Sequence, residues 1–359
     1  MPDAARTWPD LISRLLAGTD LTAEETAWAM DEVMSGNASP VALAGFLVAL
    51  RAKGETVAEL SGLAESMLVH AVDIDVPGPA VDIVGTGGDR AFTVNISTMA
   101  ALAIAASGVR VVKHGNRASS SRSGSADVLE ALGVNLGLAV GSIESVAREV
   151  GIAFLFAQVF HPSMRYAAVA RRELGVATVF NFLGPLTNPA HPRGAAIGCA
   201  DARMAPIVAG VLAARSGNAL VFRGERDGLD ELAATGPSRI WEVRAGRVEE
   251  HLVDGVDLGL RRIGVGELRG ADATHNAAVA RAVLAGEDGP IRETVLFNAA
   301  AGIVADGTAS GAADGDLPAR LRAGIGVAAE AIDSGAASAL LDRWVAATQR
   351  EGASRPGRG

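Results

Sequence analysis

VDIVGTGGDRAFTVNISTMAALAIAASGVRVVKHGNRASSSRSGSAD, residues 81–127, holds two strand signals, each followed by a polar or glycine-rich loop and a helix. It begins with a short β-branched run, 81–84, that passes straight into Gly85-Thr86-Gly87-Gly88-Asp89. A run of that kind bounded by glycines predicts a buried strand entering a tight loop. An apolar, alanine-rich stretch predicts a helix over about 97–107, and residues 109–113 predict a second strand. A polar loop over 114–125 and a helix ending near Gly133 complete the unit. Strands alternating with helices imply right-handed crossovers, so the fold class is α/β with a central, mainly parallel sheet flanked by helices.

On the N-terminal side, residues 1 to about 76 carry helical signals only. Leu11, Ile12, Leu15 and Leu16 recur at helical spacing, Thr22/Glu25 and Thr56/Glu59 have capping-box spacing, and Ser39-Pro40 reads as a cap followed by proline at the first helical position. A small all-helical N-terminal domain over 1–76 is expected, joined by the helical segment 161–182. The large α/β domain spans 77–350 and a polar tail 351–359. Toward the C-terminus, 177–182 and 219–222 are further strand candidates, 204–214 is a crossover helix, and the chain beyond Asp272 is alanine-rich and helical. The low-complexity patch 308–315 reads as a surface loop.

Composition narrows the function classes. Of 359 residues, 49% are hydrophobic but only 4% aromatic, so small aliphatic residues and glycine must fill the core. A formal charge of -9 argues against a protein that coats nucleic acid or an anionic membrane. Any anion site must therefore be local. Cys199 is the only cysteine, which leaves no disulfide and no cysteine zinc cluster. The first ten residues show no secretory pattern and no run of about 18 apolar residues occurs, from which a cytoplasmic protein is expected.

Two loops have the chemistry to hold phosphate. Glycines 85, 87 and 88 free backbone amides, and Asn95-Ile96-Ser97-Thr98 opens a helix whose N-terminus favours an anion. The pattern is not the dinucleotide fingerprint, because the G-x-G-x-x-G order is absent. The second loop, Lys113-His114-Gly115-Asn116-Arg117, follows a strand and runs into the hydroxyl series Ser119 to Ser121, then Arg122, Ser123 and Ser125. Taken singly, Lys113, Arg117 and Arg122 are solvated charges. Gathered at the carboxyl ends of neighbouring strands, they make a field for a polyanion.

In order and spacing these motifs resemble the anthranilate phosphoribosyltransferases, as do His161-Pro162 with Met164-Arg165, Arg171-Arg172-Glu173-Leu174-Gly175, the run 181–189 and Asp227-Gly228-Leu229-Asp230-Glu231. The resemblance covers nearly the whole chain. It implies transfer of the 5-phosphoribosyl group of phosphoribosyl pyrophosphate (PRPP) to the amine of anthranilate, in tryptophan biosynthesis, by a homodimer. It implies PRPP contacts from Gly85, Gly87, Gly88, Asp89, Thr93, Asn95, Ser97, Thr98, Lys113 and Ser125. Two Mg²⁺ ions are implied on Ser97, Asp230 and Glu231, whose hard oxygens suit that ion. Anthranilate contacts are implied for Gly85, His114, Asn116, Arg171, Gly184 and Pro185, with Lys113, His114 and Arg171 as the catalytic group.

Two positions depart from the family pattern. Arg90 stands where glycine usually follows Gly-Gly-Asp, and Phe222-Arg223-Gly224-Glu225-Arg226 replaces a shorter approach to the acidic pair. Two other readings stay open from the sequence: a pyrimidine nucleoside phosphorylase, which shares the fold, and a non-catalytic PRPP-binding protein.

Overall fold

A computed structural model describes residues 6–118, 122–309 and 311–354. Ser119 to Ser121, Ser310 in the 308–315 patch and 355–359 of the tail lie outside the described residues. The chain opens with four helices, α1 (Trp8–Leu16), α2 (Ala23–Met34), α3 (Pro40–Lys53) and α4 (Val57–Val69). Their starts are locally encoded. Thr22 with Glu25 and Thr56 with Glu59 form reciprocal capping boxes, and Ser39 Oγ accepts from the Ala42 amide ahead of Pro40. Leu11, Leu15, Met30, Phe46, Leu47, Leu50, Leu60 and Leu63 meet in the interior.

The remainder alternates. In chain order it runs β1 (Val81–Gly85), α5 (Ile96–Ala106), β2 (Val111–Gly115), α6 (Ser125–Leu132), α7 (Val140–Val150), β3 (Ile152–Phe156), α8 (Ala157–Phe160), α9 (Ala168–Leu174), α10 (Phe180–Leu183) and β4 (Gly194–Gly198). It continues with α11 (Met204–Ala214), β5 (Asn218–Gly224), β6 (Pro237–Arg244), β7 (Arg247–Asp254), α12 (Ala273–Leu284), α13 (Pro290–Asp306), α14 (Leu317–Asp333) and α15 (Ala336–Ser354). The sheet order is β3-β2-β1-β4-β5-β6-β7. The first five strands are parallel and the β6–β7 hairpin is antiparallel. Strand order reverses direction at β1, the position where open parallel sheets collect ligands at their carboxyl ends.

Side-chain alternation splits the sheet into two faces. Ala195, Ile197, Ala219, Val221, Trp241 and Val243 face α11 and the helical unit, while Ala196, Leu220, Phe222 and Ile240 face the α5, α13, α14 and α15 layer. Residues 167–186 return to the helical unit, where Ala167, Ala170, Phe180, Phe182, Leu183 and Leu186 share its core. Gly210 of α11 lies so close to α4 that an added Cβ would stand 2.6 Å from Val57 Cγ2. Among the described residues no single helix is long and apolar enough to cross a membrane.

The expected strand over 177–182 is not one. The β-branched and aromatic residues there form a turn closed by the Asn181 amide donating to the Thr178 carbonyl (2.9 Å), with Asn181 Oδ1 accepting from the Thr178 amide (3.0 Å). A four-residue helix follows, and burial of Phe180, Phe182 and Leu183 in the helical core overrides β propensity. Four strands, β3, β4, β6 and β7, lie outside the sequence-based expectation. In β4, Gly-Ala-Ala-Ile-Gly carries almost none of the β-branched density that marks a strand.

Candidate active site

Two adjoining cavities open at the carboxyl ends of β1 and β2. The first, about 370 Å³, is lined by Gly85, Gly87, Gly88, Asp89, Thr93, Asn95, Ser97, Lys113, Ser125, Asp230 and Glu231. Of the residues to which the resemblance assigns PRPP or metal, only Thr98 stays outside this lining. It is 2% exposed, and its hydroxyl has no partner among the described residues. The second cavity, about 560 Å³, is lined by Gly85, His114, Asn116, Arg171, Gly184 and Pro185, together with Met67, Gln158, His161, Met164, Ala168 and Phe180. Gly85, Thr86, Asn116 and Asn181 border both. Met67 and Phe180 could not be read as site residues from the sequence, since an apolar helical residue gives no sign of which wall it faces.

Lys113 lies at the middle of β2, under the first cavity, and is 2% exposed. Its Nζ donates to the Ile83 carbonyl (2.5 Å) and to Ser97 Oγ (3.1 Å). Burial pulls its pKa down, while the charges of Asp82 and Glu231 oppose that fall. Arg117 and Arg122 do not join it. Arg117 borders the cavity, but its guanidinium is held by Glu130 (2.6 and 2.9 Å) and Asp127 (3.0 Å), and Arg122 is exposed and outside the lining. Of the three cations expected to make a field together, Arg117 is taken up by carboxylates on α6 and Arg122 stands outside the lining.

The acidic pair sits in the loop after β5, each residue 8% exposed, pinned by Leu229 and Leu232 on either side. Asn298 clamps the loop by accepting from the Leu232 amide (3.1 Å) and donating to its carbonyl (2.8 Å). Asp230 Oδ2 accepts from the Gly87 amide at 2.6 Å. Burial, then the neighbouring Asp89 charge, lifts Asp230 to about 8, and burial followed by the Asp230 charge raises Glu231 well above the carboxylate range. Two buried carboxyls with so little compensation fit a cation. Among the described residues no three His, Cys, Asp or Glu form a cage by themselves, so an ion here needs further oxygens, such as those of a phosphate.

Contact with the acidic loop requires glycine at Gly85 and at Gly198. A Cβ on Gly85 would lie 2.3 Å from Asp230 Oδ2, and one on Gly198 would lie 1.6 Å from the Asp230 carbonyl oxygen. The two departures are accommodated locally. Arg90 adopts φ 60, the left-handed region that glycine favours, storing about 1–2 kcal/mol in the loop. Arg223 Nε donates to the Ala200 carbonyl (3.0 Å), tying β5 to the loop after β4 while Leu229 still seats the acidic pair.

The second cavity has the more apolar lining. Arg171 lies over the Phe180 ring (5.2 Å to the centroid), and burial lowers its pKa. Among the described residues no carboxylate faces it, whereas the adjacent Arg172 is exposed. His114 and His161 stand with ring centroids 5.2 Å apart. Burial depresses both from 6.5 to about 4, so both are neutral at pH 7. A cavity with an uncompensated guanidinium, neutral imidazoles and apolar walls suits a small aromatic anion.

Fold and cavities together define a glycosyl transferase: residues 77–338 match the glycosyl transferase family a/b domain and 9–71 its helical bundle domain. Among curated relatives, anthranilate phosphoribosyltransferase of Arthrobacter sp. (strain FB24) is 60% identical, over 96% of this chain and 97% of the relative. The crystal structure of that enzyme from Thermus thermophilus superposes with TM-score 0.87 at 42% identity, covering 95% of this chain and 99% of the other. The Saccharomyces cerevisiae enzyme in complex with PRPP and Mg gives 0.85 at 25%, covering 97% and 99%. The chain belongs to the anthranilate phosphoribosyltransferase family.

Proposed function

We propose that the protein transfers the 5-phosphoribosyl group of PRPP to the amine of anthranilate, releasing pyrophosphate. One observation carries the reading: a polar cavity with Lys113 and a buried acidic pair meets, at Gly85 and Asn116, an apolar cavity holding Arg171. In this reading the amides of Gly85, Gly87 and Gly88, the side chains of Asp89, Thr93, Asn95, Ser97 and Ser125, and Lys113 take the phosphates, with Thr98 behind them in α5. Asp230 and Glu231, with Ser97, would hold two Mg²⁺ ions, which would supply positive charge against the leaving pyrophosphate. Arg171 grips the carboxylate of anthranilate through two parallel hydrogen bonds against Gly184-Pro185.

The chain's own groups do three things. Lys113 and the loop amides meet the charge that collects on pyrophosphate as the bond from ribose C1 breaks. The second cavity presents the neutral aromatic amine to C1 for a single displacement with inversion, and orientation of this kind supplies up to roughly 7–11 kcal/mol. His114, with Nδ1 committed to Gly184, acts by positioning. The helical unit, 1–76 with 161–182, closes on 77–350 when both substrates are bound. Exposed Leu16, Val41 and Val48 on the helical unit support pairing of two copies there, which light scattering tests. Soluble substrates go with a cytoplasmic setting.

The test is the decay of anthranilate fluorescence on mixing with PRPP and Mg²⁺, alongside pyrophosphate release. Phosphorolysis of thymidine or uridine with no loss of anthranilate would overturn the reading. So would PRPP binding without turnover.

A further inference from the structure

We propose that Asp82 is a positioning residue for the transfer reaction: its buried carboxylate, held between the His114 amide and the Asn188 side chain, keeps the phosphate cavity and the aromatic cavity in register with each other. The proposal rests on the reaction proposed above.

Among the described residues, β1 and β4 run in register over 81–85 and 194–198, but β1 and β2 are registered only at Val81 and Val111. Beyond that point the two strands splay, and backbone groups that a parallel ladder would satisfy are left to side chains. Lys113 Nζ serves the Ile83 carbonyl (2.5 Å), Asn188 Nδ2 serves the Val112 carbonyl (2.7 Å), and Asp82 Oδ1 accepts from the His114 amide (3.1 Å). Asp82 Oδ2 accepts from Asn188 Nδ2 (2.8 Å), closing the network. Asn188 ends the segment whose Gly184 carbonyl takes the His114 Nδ1–H (3.0 Å) and whose Thr187 carbonyl takes the His161 Nε2–H (2.9 Å).

One anion therefore joins the strand that carries the glycine loop, the strand that carries Lys113 and His114, and the segment that walls the second cavity. Asp82 is 1% exposed and lines neither cavity, so it acts through other residues. Packing alone would not select it, because burying a carboxyl costs free energy that an aliphatic side chain of similar size avoids. Burial lifts its pKa to about 6, with Lys113, Asn188 and the His114 amide opposing, which leaves it ionised at neutral pH. An amide could not replace it, since an NH₂ in place of Oδ2 would face the NH₂ of Asn188.

The isosteric Asp82→Asn variant tests this, assayed by anthranilate fluorescence with PRPP and Mg²⁺ and by calorimetric binding of PRPP with Mg²⁺. The expected result is a fall in kcat of about 100-fold, with both KM values and PRPP affinity within about threefold of wild type, as for substrates bound but misaligned. Asn188→Ala cuts the same link from the other side and gives the same loss, and the double variant loses no more than either single one. Should Asp82→Asn fail to fold, Asn188→Ala decides alone. Unchanged kcat in folded variants, losses that multiply in the double variant, or a defect confined to the KM of PRPP would each overturn the proposal. Wild-type protein that leaves anthranilate untouched would instead sink the transfer reading, and this proposal with it.

Discussion

The Nδ1–H of His114 donates to the Gly184 carbonyl at 3.0 Å, which leaves Nε2 buried and without a protein partner among the described residues. A carbonyl can only accept, so the tautomer follows from the partner. His161 donates to Thr187 in the same way, and a second proton on the His114 ring would sit on an atom with no acceptor among the described residues.

The pH dependence follows from that pair. Burial lowers both imidazoles from 6.5 to about 4, so the folded state resists protonation that the unfolded chain accepts. Their contribution is complete above pH 6.5 and is lost as the pH falls toward 4, on the order of 3 kcal/mol each. Proton NMR should show the ring signals of His114 and His161 unmoved between pH 8 and 5.5. A titration midpoint near 6.5 for either would refute this. His114→Ala should lower kcat by roughly tenfold, less than the loss from Lys113→Ala, because positioning costs less than removing transition-state charge stabilisation.

Arg171→Ala should raise the KM for anthranilate by about 10- to 100-fold, since charge-assisted bonds of about 1.5–3 kcal/mol are lost, and should leave PRPP affinity alone. Arg171→Lys restores the charge but not the planar fork, and recovers only part of the affinity. Equal effects on both substrates would show that Arg171 does not face the aromatic one.

The acidic pair predicts opposite effects on stability and activity. Asp230→Asn removes a buried carboxyl crowded by Asp89 and Glu231, so ligand-free protein should melt a few degrees higher. Mg²⁺-dependent turnover should fall by at least about 100-fold. Differential scanning calorimetry with and without Mg²⁺, beside a turnover assay, checks both, and a lower Tm without ligand would contradict the crowding argument.

Gly198→Ala forces a Cβ to within 1.6 Å of the Asp230 carbonyl oxygen unless the loop moves. That contact is backbone and cannot rotate away, so destabilisation of about 1–3 kcal/mol is expected, with weakened Mg²⁺ activation as the loop shifts. Chemical denaturation and a Mg²⁺ titration of turnover measure the two effects. Wild-type values in both would mean the loop yields freely.

The α/β class, the helical N-terminal unit and the order of the glycine loop and the Lys113 loop are legible in the sequence, because these are written in local terms. Capping boxes at Thr22 and Thr56, glycine after a β-branched run and alternation of strand with helix depend on neighbours a few residues apart. Tertiary structure decided what depends on distant partners. Residues 177–182 turn into the helical core although their composition favours a strand, and Arg117 is withdrawn by Asp127 and Glu130. Asp82 is an ordinary strand residue by pattern, and only the splaying of β1 from β2 gives its carboxylate three elements to hold. Burial likewise sets the charge states of His114, Asp230 and Glu231, because desolvation depends on everything packed around a group and not on its place in the chain.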